Sequence, residues 1–176
     1  MTTADRDEKY TPLQWLWLSL VLMGLDRASK VMAEKLLDFA QPVPVIPGFF
    51  DFTLLYNTGA AFSFLAGAGG WQRWLFSAVA VIMSAVLIYW LKKAPRGAYF
   101  LVLGLASILG GALGNLYDRV FLGKVVDYLS FHFGSYSFPA FNLADVAISV
   151  GAFLLIVDML FFEKKRLERE GEQSDK

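Results

Sequence analysis

The chain has 176 residues, a length suited to one domain, and is 56% hydrophobic, 16% aromatic and 18% charged, whereas soluble domains carry about 25% charged residues. Its net charge is zero, so no global basic field points to nucleic acid. With no cysteine and one histidine, His132, a disulfide framework, a thiol nucleophile and a two-histidine zinc site are excluded, and a Ser-His pair has only that residue to use. Carboxylates, lysines, serines and backbone are left for any chemistry.

Residues 1–11 form a tail in which Arg6 and Lys9 are mixed with Asp5, Asp7 and Glu8. The first apolar stretch, Leu13–Leu25, runs on through Asp26, Arg27 and Lys30 to about Leu37. Its flank is acidic and no small-residue cleavage site follows, which predicts a retained anchor and not a secretory signal. Residues 38–70 contain prolines at 42, 44 and 47, then Phe49–Tyr56, a β-like run. Trp71–Leu91 carries one charge, Arg73; Ala98–Tyr117 carries none; Phe141–Phe162 carries only Asp145 and Asp158. Between the last two, Val120–Pro139 mixes aromatics with Gly123 and Gly134 and predicts further strand pairing. The charged tail 164–176 is expected to fray from Glu168 onward.

A bilayer core of about 30 Å takes roughly 20 helical residues. The last three stretches meet that directly, and the first meets it only if its polar C-terminal third is helical too. The expected fold is therefore an all-α integral membrane protein of four spans, one domain over 12–163 with outer segments at about 38–70 and 118–140. A soluble bundle is the poorer reading, because uncharged runs of this length mark spans. Lys92, Lys93 and Arg96 in the short link, and Lys164, Lys165, Arg166, Arg169 and Lys176 in the tail, place both termini in the cytoplasm by the positive-inside rule.

With that orientation, most of the unusual polar residues fall at one leaflet: Asp26 and Lys30, then Asn115, Asp118 and Arg119, then Asn142 and Asp145, with Asp127 in the outer segment between the last two spans. Ionisable groups at membrane depth are expensive and mark sites. Asp26 and Lys30, four apart, share a helix face and neutralise one another. That pair, Asp118 and Arg119 read best as structural, and Asp158 as an interfacial or packing residue. Asp127 and Asp145 differ: each follows an apolar run and has no basic residue within four positions on its C-terminal side. Two carboxylates in one site of low polarity share a proton, so one activates water while the other protonates the carbonyl or leaving group. Spacing leaves open whether these two meet in space.

Four blocks in order, Asn57-Thr-Gly-Ala-Ala-Phe-Ser63, Gly114-Asn-Leu-Tyr-Asp-Arg119, Val125-Val-Asp-Tyr128 and Phe141-Asn-Leu-Ala-Asp145, resemble the signature blocks of bacterial lipoprotein signal peptidase (signal peptidase II). The resemblance covers about residues 12–163. It implies an aspartyl endopeptidase of the bacterial inner membrane, without metal or cofactor. Such an enzyme removes the signal peptide of a diacylglyceryl-modified prolipoprotein, cutting just before the lipidated cysteine on the periplasmic side. It also implies Asp127 and Asp145 as the catalytic pair. Asn57, Gly59, Asn115, Arg119 and Asn142 would line or brace the substrate pocket, with Asp26, Lys30 and Asp118 in support. Membrane lipid and globomycin-type peptide inhibitors are the further partners implied, and a monomer is the expected state. The fold implied is four transmembrane helices, a small periplasmic β-cradle drawn from Val43–Tyr56, a short periplasmic helix, and a lid within Asn57–Gly70.

Two other classes compete. A Ser/Lys protease would use Lys30 with Ser29 or Ser63, although Asp26 beside Lys30 would keep that amine charged and a poor base. A small transporter or channel would use Asp127 and Asp145 as ion sites, although such groups usually lie near the midplane on broken helices.

Overall fold

The computed structural model describes residues 11–59, 69–134 and 136–174. A 3₁₀ turn, Pro12–Trp15, opens α1 (Leu16–Leu36). Then come β1 (Val43–Ile46), β2 (Phe50–Asn57), α2 (Trp71–Lys93) and α3 (Tyr99–Tyr117), which a π-helical turn prolongs over Asp118–Leu122. β3 (Val125–Phe133), β4 (Tyr136–Ser137), α4 (Leu143–Phe161) and α5 (Glu163–Ser174) complete the chain.

By length and composition α2, α3 with its π turn, and α4 can each cross a membrane. Their outward surfaces are apolar: Val79, Ile82, Phe153 and Ile156 are all exposed, the inverse of a soluble protein's surface. α1 has the length, and its polar third is helical as expected. Its charged residues keep it out of that apolar class, so three helices, not four, qualify on composition.

α3 is the central helix. Its Val102, Leu105 and Leu109 pack with Leu87 and Leu91 of α2. Its glycines admit the backbones of α1 and α4: a Cβ on Gly110 would lie 2.9 Å from the Ser19 carbonyl oxygen, and one on Gly104 would lie 2.9 Å from that of Gly151. Small residues at such crossings let dispersion and polar contacts hold helices where lipid supplies no hydrophobic drive. Ser19 Oγ adds a 2.8 Å hydrogen bond to the Ala106 carbonyl.

Helical structure extends to Leu122 rather than ending near Tyr117, because Arg73 of α2 reaches across to donate from Nη2 to the Val120 carbonyl at 2.6 Å. Gly123, at φ 78°, terminates the turn by donating its N–H to the Asp118 carbonyl. A side chain there would meet Arg73 at 3.1 Å as well as adopting a strained backbone.

The strands form one antiparallel sheet in the order β1-β2-β3-β4. Proline 44 sits on the edge strand β1, where a missing N–H is tolerated. The strand pairing expected in Val120–Pro139 joins the Val43–Tyr56 cradle as β3, its third strand, and β3 carries Asp127. The register sets Leu55 opposite Asp127 and Asn57 opposite Val125. Farther along, His132 Nε2 meets Asp51 at 2.8 Å and its Nδ1 meets Ser137 Oγ at 3.0 Å. The single histidine therefore links β2, β3 and β4.

The short helix implied for an outer segment does not occur among the described residues, and most of the expected lid, residues 60–68, lies outside them. The tail differs from expectation: it is helical through Ser174 and not frayed from Glu168. Arg166 clamps it to α4 by hydrogen bonds of 2.7 and 2.5 Å to the buried Asp158, and Lys164 and Glu168 pair four apart at 3.8 Å.

Candidate active site

The start of α4 is stitched to β3 immediately beside Asp127. The N–H groups of Tyr128 and Leu129 donate to the Phe141 carbonyl at 3.0 and 2.9 Å, and the Phe141 N–H donates back to Leu129. Asn142, fully buried, then caps α4 in a reciprocal box with Asp145. Its Oδ1 accepts from the Asp145 N–H at 3.1 Å, and Asp145 Oδ2 accepts from the Asn142 N–H at 3.2 Å. Because the Asn142 oxygen is used this way, its amide nitrogen points the other way and donates to Asp127 Oδ1 at 2.7 Å. One asparagine thus holds both carboxylates.

Asn115 of α3 completes the frame, donating from Nδ2 to Asp145 Oδ1 at 2.8 Å. Asn57 of β2 hydrogen-bonds Asp127 from the opposite strand. Asp127 and Asp145 line one cavity of about 740 Å³ together with Asn57, Asn115 and Arg119. Its other walls are apolar, including Leu55, Phe138, Phe141 and Ile148. Asp127 is 5% exposed, while Asp145 is half-buried and opens to the cavity. Burial, reinforced by the neighbouring Asp145 charge, pushes the Asp127 carboxyl up to about 7, against the lowering pull of the Asn142 and Asn57 hydrogen bonds. Such a carboxyl still holds its proton about half of the time at neutral pH, beside a second, more open carboxylate. That is the electrostatic requirement of a shared-proton dyad.

Behind the pair lies an ionic cluster. Lys30, with no exposed side-chain surface, meets Asp26 at 2.8 Å and Asp118 at 2.9 Å. Asp118 Oδ2 accepts from the N–H of Val126, next to Asp127, and Asp26 Oδ1 accepts from the N–H of Ala144, next to Asp145. Each acid thus pins the backbone beside one of the two aspartates. Lys30, paired twice with carboxylates, is no free base. Ser29 Oγ donates to the Asp26 carbonyl and accepts from Tyr128 Oη, both at 2.8 Å, and Ser63 lies outside the described residues. Lys124, three before Asp127 in sequence, turns away to sit 3.1 Å from the Tyr56 ring centroid. Among the described residues no cluster of three or more metal-ligating side chains occurs.

Arg119 spans the cavity mouth. Its Nη1 donates to the Asn115 carbonyl and its Nη2 to the Gly59 carbonyl, each at 3.3 Å, with the guanidinium over the Phe76 ring. Removing it frees the Gly59 carbonyl and takes a positive charge from beside both carboxylates, while leaving their hydrogen-bond donors in place. Arg119→Ala is therefore expected to lower kcat/KM about 10-fold, the worth of one charge-assisted hydrogen bond, mostly through KM. A steady-state assay in which neither parameter moves refutes this role.

Sequence reasoning missed the Tyr128–Ser29 bond, the Arg73 contact to the π turn and the Phe138–Phe141 wall. Only the last had a local signal: Pro139 shortly before the Asn-x-x-Asp capping pattern predicts an extended lead-in to α4.

Compared with known proteins, residues 18–161 match the family model described as Signal peptidase (SPase) II. The chain belongs to the signal peptidase II family. It is 53% identical over 161 residues to a lipoprotein signal peptidase of Ectopseudomonas mendocina, covering 91% of this chain and 95% of that protein. It is 52% identical over 161 residues to one of Pseudomonas putida, covering 91% and 93%. Its fold is similar to that of a bacterial membrane enzyme solved by the in meso method, with TM-score 0.75 and 29% identity over 84% of this chain and 87% of that one. Membership in signal peptidase II makes the chain a protease of that type. The family match spans the four sequence blocks and every element that supplies the cavity's polar residues.

Proposed function

We propose that the chain is a membrane aspartyl endopeptidase that removes the signal peptide from diacylglyceryl-modified prolipoproteins, cutting just before the lipidated cysteine. The observation that carries this reading is the pairing of buried Asp127 with the more open Asp145 through one asparagine, at the polar end of a largely apolar cavity. Family membership supports the substrate class. Asp145, with donors from the Asn115 amide and the Asn142 N–H, is the base that takes a proton from water. Asp127 gives its proton to the carbonyl oxygen; as the diol collapses, Asp145 passes the proton it took from water to the leaving amine and the diol hydroxyl returns its proton to Asp127, so the pair again holds one proton. Asn57, Asn115, Asn142 and Arg119 hold the carboxylates and the mouth; Asp26, Lys30 and Asp118 hold the backbone behind them; Gly59 presents its carbonyl to Arg119.

The domain is residues 12–163, spanning the bilayer four times. α1 serves as the fourth span because its ionic residues are neutralised inside the protein and Leu20, Val21 and Leu25 face outward. Both termini are cytoplasmic by the positive-inside rule, which sets the sheet and the dyad on the periplasmic side of the inner membrane. A monomer suffices, since the bundle satisfies its own buried charges. Globomycin-type peptides would compete for the same cavity.

The test is a gel assay with the purified protein in detergent or lipid and a lipidated prolipoprotein, with the product N-terminus read by mass spectrometry. Release of a fragment beginning at the modified cysteine is expected. No release by folded protein on verified substrate returns the transporter reading, to be checked by ion flux in liposomes. The dyad works with one proton, and that proton is lost as pH rises through the Asp127 value of about 7. Cleavage should therefore fall about 10-fold per pH unit above that point. A rate flat from pH 7 to pH 9 would contradict Asp127 as the acid.

A further inference from the structure

We infer that Lys30 is a positioning residue for the dyad, acting through the side-chain amide of Asn115, beyond its role as a counter-ion for Asp26 and Asp118. The inference rests on the dyad reading above. Its basis is the direction of the hydrogen bonds. An ammonium donates and never accepts, and Lys30 Nζ donates to Asn115 Oδ1 at 3.0 Å. The Asn142 amide nitrogen donates to the same oxygen at 3.3 Å. With two donors on its oxygen, the Asn115 amide has one available orientation, its nitrogen toward Asp145 Oδ1 at 2.8 Å. The chain Lys30, Asn115, Asp145 thus runs one way, and it delivers an N–H to the carboxylate that must stay ionised to act as base.

Without a donor at position 30 the amide turns over more freely, because its carbonyl can then face Asp145. A carbonyl there accepts a hydrogen bond from a protonated carboxyl and offers nothing to a carboxylate. The proton would move onto the wrong member of the pair. The other charged groups around Asp145 do not replace this contact. Asp127 faces it from β3 and Arg119 from the π turn of α3, while Asp26, which holds the neighbouring Ala144 N–H, and Asp118 are both paired with Lys30. Arg119 directs its hydrogen bonds to the backbone carbonyls of Asn115 and Gly59.

The experiment compares Lys30→Gln with Lys30→Met, both in the Asp118→Asn background, which removes one of the two carboxylates that Lys30 neutralises. Both substitutions delete the same charge, so the loss of stability is shared, and only glutamine can donate to Asn115. Expected for Lys30→Met relative to Lys30→Gln is a kcat about 100-fold lower, the effect of removing one aimed donor, with KM little changed. The pH dependence of kcat should also differ between the two variants, because only one of them keeps a donor on Asn115. Should neither fold, Asn115→Leu leaves Asp26, Lys30 and Asp118 in place, adds no charge and removes the amide that relays between Lys30 and Asp145. The same fall in kcat is expected there, and wild-type turnover would overturn the proposal. Matching kcat and pH profiles for the two Lys30 variants would overturn it equally. Asp145→Asn is run in parallel: full turnover by that variant overturns the dyad reading itself, whereas matching Lys30 profiles overturn only the role of Lys30.

Discussion

Asp127→Asn and Asp145→Asn should each lose at least about 10³-fold in kcat, the scale of a deleted general acid or base, and the two should differ in stability. Asparagine at 127 keeps the volume, turns its oxygen to the Asn142 amide and gives up the Asn57 hydrogen bond, a loss offset by removing a carboxyl that burial pushes up to about 7. Asparagine at 145 has one acceptor where aspartate used two, Oδ1 for Asn115 and Oδ2 for the Asn142 N–H. One of these must go, and losing half of a capping box costs about 1 kcal/mol. The dead Asp127 variant is therefore expected to melt like the wild type, and the dead Asp145 variant below it. Cleavage assays with thermal unfolding in the same detergent check both points. Residual turnover within tenfold of wild type in either variant removes that residue from the chemistry, and identical melting would mean that the cap contributes nothing.

The second large effect is expected far from any titratable group. A Cβ added at Gly111 would press into the Ala144 carbonyl and lie 2.8 Å from Ile148 Cγ1. Ala144 is the neighbour of Asp145, and its N–H is the group that Asp26 holds at 2.9 Å. Gly111→Ala must therefore push the first turn of α4 away from α3, the turn that carries the base. Overpacking of this kind costs about 1–3 kcal/mol, and because positioning is lost with it, activity should fall about 100-fold. Gly24→Ala is the control, since nothing lies within 4 Å of the added carbon. That variant should be as stable and as active as the wild type. If the two alanine variants proved equal in melting and in turnover, the close approach of α3 and α4 would not be what places Asp145.

Much of this was legible along the chain. Uncharged runs long enough to span a bilayer mark α2, α3 and α4, because helix length and lipid thickness are matched by composition alone. The β-like run ending at Tyr56 became β2, and the clustering of Asp26, Lys30, Asn115, Asp118, Asn142 and Asp145 at one end of the helices followed from their positions within each stretch. α1 was harder. Its hydropathy is spoiled by charges whose partner Asp118 comes from another helix, so no local window can show that they are neutral inside the fold.

The sequence by itself determined the apolar helices, the positions of the polar residues along them and the family blocks, since hydropathy, periodicity and residue order are properties of the chain. Only the tertiary structure decided that Asp127 and Asp145 face one cavity, because that depends on β3 adding to β2 and on Phe141 pairing with Leu129. It also decided which carboxyl is buried, that Lys124 turns to Tyr56 and leaves Asp127 alone, and which way the Asn115 and Asn142 amides point. Each of these is set by donors and acceptors that meet through space from separate elements, and the direction of a hydrogen bond exists only once both partners are in place.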